Sequence, residues 1–294
     1  MNPVAYGTTA SSPAPGPLPA AGRPALRWTG YVRGQFLLSW RVFWRNGRST
    51  FIGFLLPVLL DLMVAAPLRH KEIGGVDAAG YTSVGFIGLA VATSFVNLLN
   101  AVVARRDSLV LKRLRGTEVP TSAIFAGQLA VSAVVLLIQA VILGAVAVGW
   151  FGVRPPADPP LFLLALAVGF LVFGALACAL ACRTPSVETA PAVAMPVLLL
   201  CMFGAGVFAP VESLPSWLRG PARCLPLEPV VRALRVAWFG RDFGGETWRG
   251  AVLPRLSLLD GWQSAGPGLL IALAWGAAAV AVTRRFFRWE PGRG

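Results

Sequence analysis

Charge is scarce in this sequence. Only 13% of its 294 residues are Asp, Glu, Lys or Arg, whereas 56% are hydrophobic and the mean hydropathy is +0.67. A soluble domain normally carries about a quarter charged residues. Because the hydrophobic residues also form long uncharged runs, the sequence excludes an ordinary soluble domain and indicates an integral membrane protein.

Catalytic and nucleotide-binding patterns are missing as well. The single histidine, His70, lies beside Lys71 and Glu72, and the chain has no HExxH or GxSxG motif and no Cys/His pair. We therefore expect no catalytic residue and no metal site. A P-loop needs a lysine that follows Gly, but Lys71 follows His70 and Lys112 follows Leu111. We expect no ATP binding of the P-loop kind in this chain.

The four cysteines are spaced neither as a zinc site nor as a disulfide framework. Three of them lie in apolar runs, where small buried side chains are the expected interpretation. The formal net charge of +13 comes largely from arginines at the ends of apolar runs. We interpret these arginines as orientation and lipid-headgroup charges rather than as a nucleic-acid surface.

Six apolar runs are candidates to cross the bilayer as helices, which takes about 20 residues each. They cover about 51–68, 81–103, 122–150, 161–182, 189–209 and 266–283. The predicted fold class is an all-α integral membrane protein with six transmembrane helices, in a domain over residues 28–288. Residues 1–27, rich in Pro and Ala, are expected to be a disordered cytoplasmic tail, and residues 289–294 a second cytoplasmic tail.

Residues 28–48 predict an amphipathic helix ahead of the first span. Phe36, Trp40 and Trp44 recur at helical spacing, whereas Arg41 and Arg45 lie largely on the other side. An aromatic face opposite an arginine face is typical of a helix that lies in the membrane surface. We therefore predict an N-terminal interfacial helix.

Asp61 is the one charge well inside a predicted span. An acid at that depth is a functional hypothesis by default, because its burial is costly unless it is paired or hydrated. Two interpretations stay open. Asp61 belongs to a substrate path together with Asn97 and Asn100, or it packs against a dimer partner or a polar neighbour such as those same asparagines.

The segment 104–120, ARRDSLVLKRLRGTEVP, separates the second and third predicted spans. Its five basic residues indicate a loop that stays in the cytoplasm. Its interior predicts a short helix on which a cytoplasmic partner would dock. The two interpretations are compatible. The core 111–115, followed by Thr117 and Pro120, resembles the loop after the second span of type-2 ABC exporter permeases. Leu109 stands where that family usually has Gly.

A second resemblance to the same permeases covers residues 204–240, after the fifth predicted span. The matching positions, in order, are Gly206, Val207, Phe208, Pro210, Glu212, Ser213, Leu214, Pro215, Trp217, Leu218, Leu225, Pro226, Leu227, Leu234 and Arg235. The resemblance is closest to bacterial permeases of the daunorubicin/doxorubicin-resistance kind, and with the six-span layout it extends over roughly residues 28–288.

The role of this outer segment has two open interpretations. It is either an ordinary amphipathic cap or a re-entrant helical segment between spans five and six that closes the outer end of a translocation path. The outer gate candidates are Phe208, Glu212 and Trp217.

The resemblance implies a permease subunit of an ABC exporter in the bacterial plasma membrane, which moves a hydrophobic, drug- or antibiotic-like compound outward. It implies a homodimer or heterodimer of permease chains and separate ABC ATPase subunits, which would hold the ATP and Mg²⁺; no cofactor is expected in this chain. Segment 104–120 is the only predicted inner loop long enough to dock an ATPase. The candidate coupling residues are Asp107, Leu111, Arg113, Leu114 and Arg115.

Three alternatives remain. A lipid or cell-wall polysaccharide exporter has the same layout, because the sequence does not name the cargo. An ion-coupled secondary transporter would carry several intramembrane acids or inverted repeats, of which we find one clear acid and no evident repeat. A membrane-embedded enzyme lacks its catalytic motif.

Orientation is the first testable prediction. With the N-terminus inside, the segments predicted to be cytoplasmic hold sixteen Arg and Lys residues and the short outer loops hold three, and such an excess marks the cytoplasmic side. We expect reporter fusions at Arg113 and Arg293 to give a cytoplasmic signal and a fusion at Trp217 to give an outside signal. A cytoplasmic signal at Trp217 would contradict the six-span layout.

Overall fold

The structure is a computed structural model that describes residues 28–45, 47, 51–107, 121–244 and 252–286. Its elements are, in chain order, α1 (Trp28–Arg45), α2 (Leu56–Ala65), β1 (Glu72–Ile73), β2 (Val76–Asp77), α3 (Ala78–Asp107), α4 (Thr121–Gly149), α5 (Pro159–Ala181), α6 (Ala190–Gly204), α7 (Ser216–Arg223), α8 (Glu228–Phe239) and α9 (Leu258–Phe286). The described chain is mostly helical, and the short antiparallel hairpin β1–β2 is a small departure from the all-α prediction.

Four of the described helices, α3, α4, α5 and α9, are long and apolar enough to cross a membrane. They correspond to the second, third, fourth and sixth predicted spans, which agrees with an all-α membrane protein. The other two predicted spans form shorter apolar helices, so a count of six spans stays a prediction. The end of α3 that carries Arg105 is predicted to be cytoplasmic and is called the inner end below.

The two shorter apolar segments have local causes. Residues 51–68 are helical throughout but change type twice, because a π turn (Phe51–Leu55) precedes α2 and a 3-10 turn (Ala66–Leu68) follows it. Helix α6 has 15 residues, which corresponds to a length of about 22 Å. It ends five residues before the predicted end of the fifth span, because the chain reverses at Gly206, whose φ of +63° favours glycine.

Helix α9 begins eight residues before the predicted sixth span. The Ser257 hydroxyl donates to Asp260 Oδ2 (2.6 Å) and accepts a hydrogen bond from the Asp260 backbone N–H (3.2 Å). Together the two residues form a reciprocal N-terminal cap, similar to a capping box. The sequence Ser-Leu-Leu-Asp at 257–260 contains this capping pattern, so the earlier start of the helix could have been predicted.

Helix α3 is the central helix, because it contacts α2, α4, α5, α6 and α8. Its Phe86, Phe95 and Leu99 are among the largest fully buried side chains of the described chain. The Phe95 ring meets the Phe173 ring of α5 edge to face, with centroids 6.2 Å apart. The inward side chains of α3 thus form the middle of the hydrophobic core.

Glycines in two long helices let the short helix α8 pack among them. A Cβ atom at Gly169 of α5 would lie 2.8 Å from Val230 Cγ1 and 2.9 Å from Val91 Cγ1, and one at Gly88 of α3 would collide with Val231. Small residues allow helix backbones to approach this closely. As a result α8 lies buried against α3, α5 and α9.

Helix α1 packs along the first turns of α4. The Trp28 indole N–H donates to Ser122 Oγ (3.1 Å). A Cβ atom at Gly127 of α4 would lie 2.6 Å from Gln35 Cβ and 3.0 Å from Phe36 N. The helix has no fully buried residue, so its contact with the rest of the chain is one-sided. The predicted helix is present from Trp28 to Arg45, and its location in the membrane surface stays a prediction.

Candidate functional site: a polar cavity beside the central helix

A cavity of about 670 Å³ lies between α1, α3 and α4. Its polar lining comes from one face of each long helix. The lining residues with amide or hydroxyl side chains are Gln35 and Ser39 of α1, Ser94, Asn97 and Asn100 of α3, and Gln128, Ser132 and Gln139 of α4. Residues three, four or seven apart share one face of a helix, which explains why these side chains converge on the same space.

The cavity runs along the helices from the inner end towards the middle of the bundle. Arg105 lines it at the inner end of α3, and Ser94 lines it eleven residues earlier, which corresponds to roughly 16 Å along a helix. The hydrocarbon core of a bilayer is about 30 Å thick. A cavity of this length would reach about half-way across the membrane.

Arg105 joins three helices at the inner end of the cavity. Its guanidinium donates to the Ile124 carbonyl (2.9 Å) and to Gln128 Oε1 (3.0 Å), both on α4, and to Ser39 Oγ (3.3 Å) on α1. Hydrogen bonds from a charged donor contribute more than neutral ones. Arg105 therefore holds α1 and α4 to the inner end of α3.

The neighbouring Arg106 points the other way, to the end of α5. Its guanidinium donates to the Ala181 carbonyl (2.9 Å), to the Pro185 carbonyl (3.0 Å) and to the Thr184 carbonyl. The last carbonyls of a helix have no partner within it and carry partial negative charge, so a cation is favourable there. Arg106 thus caps α5 and fixes the turn that leads to α6.

The predicted coupling residues follow Arg105 and Arg106 along the chain. Leu111, Arg113, Leu114 and Arg115 lie outside the described residues, and Asp107 is the last residue of α3. The two arginines just before them, which we interpreted from the sequence only as orientation charges, bond to α1, α4 and the end of α5. Their acceptors are mainly backbone carbonyls, for which the sequence carries no side-chain signal.

The three substrate-path candidates lie in two places. Asn97 and Asn100 line the cavity; Asn97 is exposed, and the Asn100 side-chain oxygen is buried and has no hydrogen-bond partner among the described residues. Asp61 of α2 is 0% exposed and accepts a hydrogen bond from Ser83 Oγ of α3 (3.0 Å). Ser83 lies eleven residues before Ser94 along α3, so Asp61 does not line the cavity.

The outer end of α3 is held by a third arginine, which comes from another helix. Arg235 of α8 is 3% exposed and donates to the Gly206 carbonyl (2.7 Å), and its Cζ atom lies 3.5 Å from the centroid of the Tyr81 ring. A guanidinium over an aromatic face is a stabilising cation–π contact. Through Arg235, α8 bonds to the turn after α6 and stacks on the first turns of α3.

The predicted outer gate residues surround this turn. The centroid of the Phe208 ring lies 5.7 Å from that of Phe86 and 5.9 Å from that of Phe203. Glu212 forms an ion pair with Arg223, with 3.7 Å between the nitrogen and oxygen atoms. Trp217, by contrast, is 73% exposed. The structure thus brings Phe208 against α3 and leaves Trp217 at the surface of the chain.

A buried acid lies one helical turn before Arg232 in α8. Glu228 is 6% exposed and forms an ion pair with Arg232 (3.9 Å). Burial raises the pKa of the Glu228 carboxyl, and the guanidinium groups of Arg232, Arg223 and Arg235 oppose that shift. The outer segment therefore contains a compact arrangement of opposite charges packed against the long helices.

A comparison of this chain with known protein families identifies its class. A family model of ABC-2 type transporters matches residues 36–239, which is more than two thirds of the chain. The chain belongs to the ABC-2 type transporter family and is a permease subunit of an ABC-type transporter. Proteins of this family are transmembrane transport components that generally work with ABC ATPase partners.

The family match confirms the resemblance seen in the sequence at the level of an ABC-2 permease. The daunorubicin/doxorubicin-resistance kind, the drug cargo and the role in antibiotic resistance stay predictions. No curated protein sequence matches the chain. The match runs from Phe36 within α1 to the end of α8, and therefore includes the lining residues of the polar cavity other than Gln35 and the outer segment around Arg235.

The contact of Arg106 with the end of α5 leads to a testable prediction. Arg106→Gln removes a charged donor to helix-end carbonyls, and we expect the free energy of unfolding to fall by about 2 kcal/mol. The measurement is the temperature at which the detergent-solubilised protein loses its monodisperse peak, which should be lower in the variant. The matched control is Arg183→Gln at the same helix end, because Arg183 is exposed and its removal subtracts the same charge. An equal loss in both variants would contradict the capping role.

Asp61 makes a second prediction. Asp61→Asn keeps an acceptor for the Ser83 hydroxyl and replaces a buried carboxyl with an amide, so we expect normal membrane accumulation and unchanged transport of one compound relative to another. Asn97→Ala, which alters the cavity wall, is the comparison variant and should change that ratio. An altered ratio in Asp61→Asn would place Asp61 in the substrate path.

Proposed function

We propose that this chain is one of two permease subunits of an ATP-driven exporter that moves a hydrophobic, drug- or antibiotic-like compound outward across the bacterial plasma membrane. The observation that supports it most is the cavity beside α3. Ligand pockets for drug-sized molecules have volumes of about 300–1,000 Å³, and this one, at about 670 Å³, lies between two membrane-length helices, α3 and α4, and the N-terminal helix α1.

In this proposal, the cavity is the loading site and α3 is the element that transmits force. ATP hydrolysis would take place in a separate subunit, so force has to enter through a cytoplasmic contact. The segment 108–120 follows directly on α3, whose last turn bonds to α1 and α4 through Arg105 and to α5 through Arg106. A displacement of that segment would act on all three walls of the cavity together.

The outer segment would act as the second gate. Helix α8 is buried among α3, α5 and α9, which favours the re-entrant interpretation over a loose amphipathic cap. Opening an outer path next to α3 would require Arg235 to leave the Gly206 carbonyl and the Tyr81 ring. Phe208, which packs on Phe86 of α3, would move with that turn.

Pairing of two permease chains accounts for the apolar surface that a single chain leaves exposed. Leu59 and Met63 of α2 and Leu200 and Phe203 of α6 are exposed, and all four lie on the helices that flank the outer half of α3. Lipid covers such side chains equally well. The dimer therefore rests on the resemblance to type-2 exporters and not on this surface alone.

Coupling is the test of this function. We expect Leu114→Asp to insert normally but to lose co-purification with its ATPase and to reduce export at least tenfold, because a carboxylate replaces a predicted apolar contact. The matched control is Leu109→Asp, the same chemical change in the same segment, at a position outside the core that resembles the family. The control should retain binding and export.

Two outcomes of this test are informative. Normal ATPase binding and export in correctly inserted Leu114→Asp would remove the docking role and leave segment 104–120 as an orientation signal. Loss of both activities in Leu109→Asp as well would show that any charge in the segment is disruptive, and would remove the assignment of Leu114 as a specific contact.

A further inference from the structure

Asp61 is a fully buried acid with one described hydrogen-bond donor. Its Oδ1 atom accepts a hydrogen bond from the Ser83 hydroxyl of α3 (3.0 Å), whereas its Oδ2 atom is buried and has no hydrogen-bond partner in the part of the chain that the structure describes. Buried polar atoms in proteins nearly always have such a partner. The Oδ2 atom therefore needs a physical explanation, and neither the polar cavity nor the outer segment supplies one.

The surroundings of this acid are apolar. One helical turn towards the outer end, Ala65 of α2 and Ala79 of α3 are fully buried and form one apolar cluster with Phe151. One turn towards the inner end, Ile87 of α3 is fully buried as well. Residues four apart share one face of a helix. The carboxyl and the Ser83 hydroxyl are thus a polar contact within an apolar interface between α2 and α3.

No basic side chain among the described residues bonds to this carboxyl. The main contacts of α2 are with α3, with α4 and with the π and 3-10 turns at its own ends, and neither α4 nor these turns contain an ionisable residue. In α3, Tyr81 lies two positions before Ser83 and therefore on another face, and the charged residues 105–107 lie at the inner end. Arg69, which follows α2, donates to the Trp150 carbonyl (2.7 Å).

A carboxylate at this position would be a buried charge held by one neutral donor. Burial disfavours the charged form of an acid, and a nearby cation or several donors are needed to reverse that effect. We infer that Asp61 is a proton-binding site inside the helix bundle: the carboxyl is a neutral acid at neutral pH, with the proton on Oδ2 and with Oδ1 as the carbonyl oxygen that accepts from Ser83. The Oδ2 atom is then an O–H group rather than an unpaired carboxylate oxygen.

The bound proton stabilises the packing of α2 on α3. In water an aspartic acid loses its proton at acidic pH, so the unfolded chain, or a state in which α2 has left α3, binds the proton less tightly than the packed state does. Stability falls as pH rises wherever the packed state binds more protons. The inference goes beyond the proposed function, because it assigns the proton no role in export. It agrees with the unchanged relative transport expected of Asp61→Asn, whose amide is uncharged like the neutral acid.

The direct test is an NMR measurement of the aspartate carboxyl carbons, isotopically labelled, in the full-length chain in detergent. The Asp61 signal is the one that Asp61→Asn lacks, and its chemical shift distinguishes an acid from a carboxylate. We expect the acid shift at neutral pH. In Ser83→Ala the signal should keep the acid shift to higher pH, because the removed hydroxyl favours the carboxylate. This second variant also identifies the signal if Asp61→Asn does not yield monodisperse protein.

The second test compares stability across pH. The temperature at which the detergent-solubilised protein loses its monodisperse peak is measured from acidic to alkaline pH. We expect the wild type to lose stability relative to Asp61→Asn as pH rises, because an amide cannot ionise. The matched control is Glu72→Gln, since Glu72 is exposed and the variant also exchanges a carboxyl for an amide. Its pH profile should run parallel to that of the wild type.

Two results would overturn the inference. An Asp61 signal with the carboxylate shift at neutral pH would show an ionised acid. Parallel pH profiles for the wild type and Asp61→Asn would show that folding does not change the proton affinity of this carboxyl. Neither measurement uses an ATPase or transport, so loss of the proposed exporter would leave the proton-binding site in place, and loss of the proton-binding site would leave the exporter.

Discussion

The inner half of this permease depends on two adjacent guanidinium groups. A helix end exposes carbonyls that find no partner within the helix, and in a membrane each such group is costly unless something donates to it. Arg106 meets this requirement at the end of α5, and its neighbour Arg105 bonds to α4 and α1. Because the two residues are consecutive, the surrounding helix ends are tied to a single turn of backbone.

The outer half uses close backbone contact. Gly88 and Gly169 remove the side chains that would keep α8 away from α3 and α5, and Arg235 then reaches the Gly206 carbonyl across the buried interface. At the outer end, close helix packing and the charged hydrogen bond from Arg235 hold the helices together. At the inner end, the hydrogen bonds of Arg105 and Arg106 have that role. The central helix is thus held at both ends by arginine, in one case its own and in the other that of α8.

Much of the fold was predictable from the sequence, because hydrophobic run length determines which segments cross a membrane. The sequence also marked Asn97 and Asn100 as polar residues inside a span. The next span carries polar residues four and seven apart, at Gln128, Ser132 and Gln139. This spacing could have predicted a polar face on that helix, but we did not use it. What the sequence does not contain is the meeting of α1, α3 and α4, which come from separate segments. The acceptors of Arg106 are backbone carbonyls and so are independent of residue type, and for that reason its contacts could not be predicted.

The cavity is walled by three helices of one polypeptide, and this determines how many binding sites an assembly contains. Each chain brings all the described lining residues itself, so a pair of chains, as proposed above, would hold two compartments rather than one shared between them. A substitution in one chain of a mixed pair would impair one compartment and leave the other intact. Two different chains of this architecture, paired with each other, would then carry two different selectivities in a single transporter.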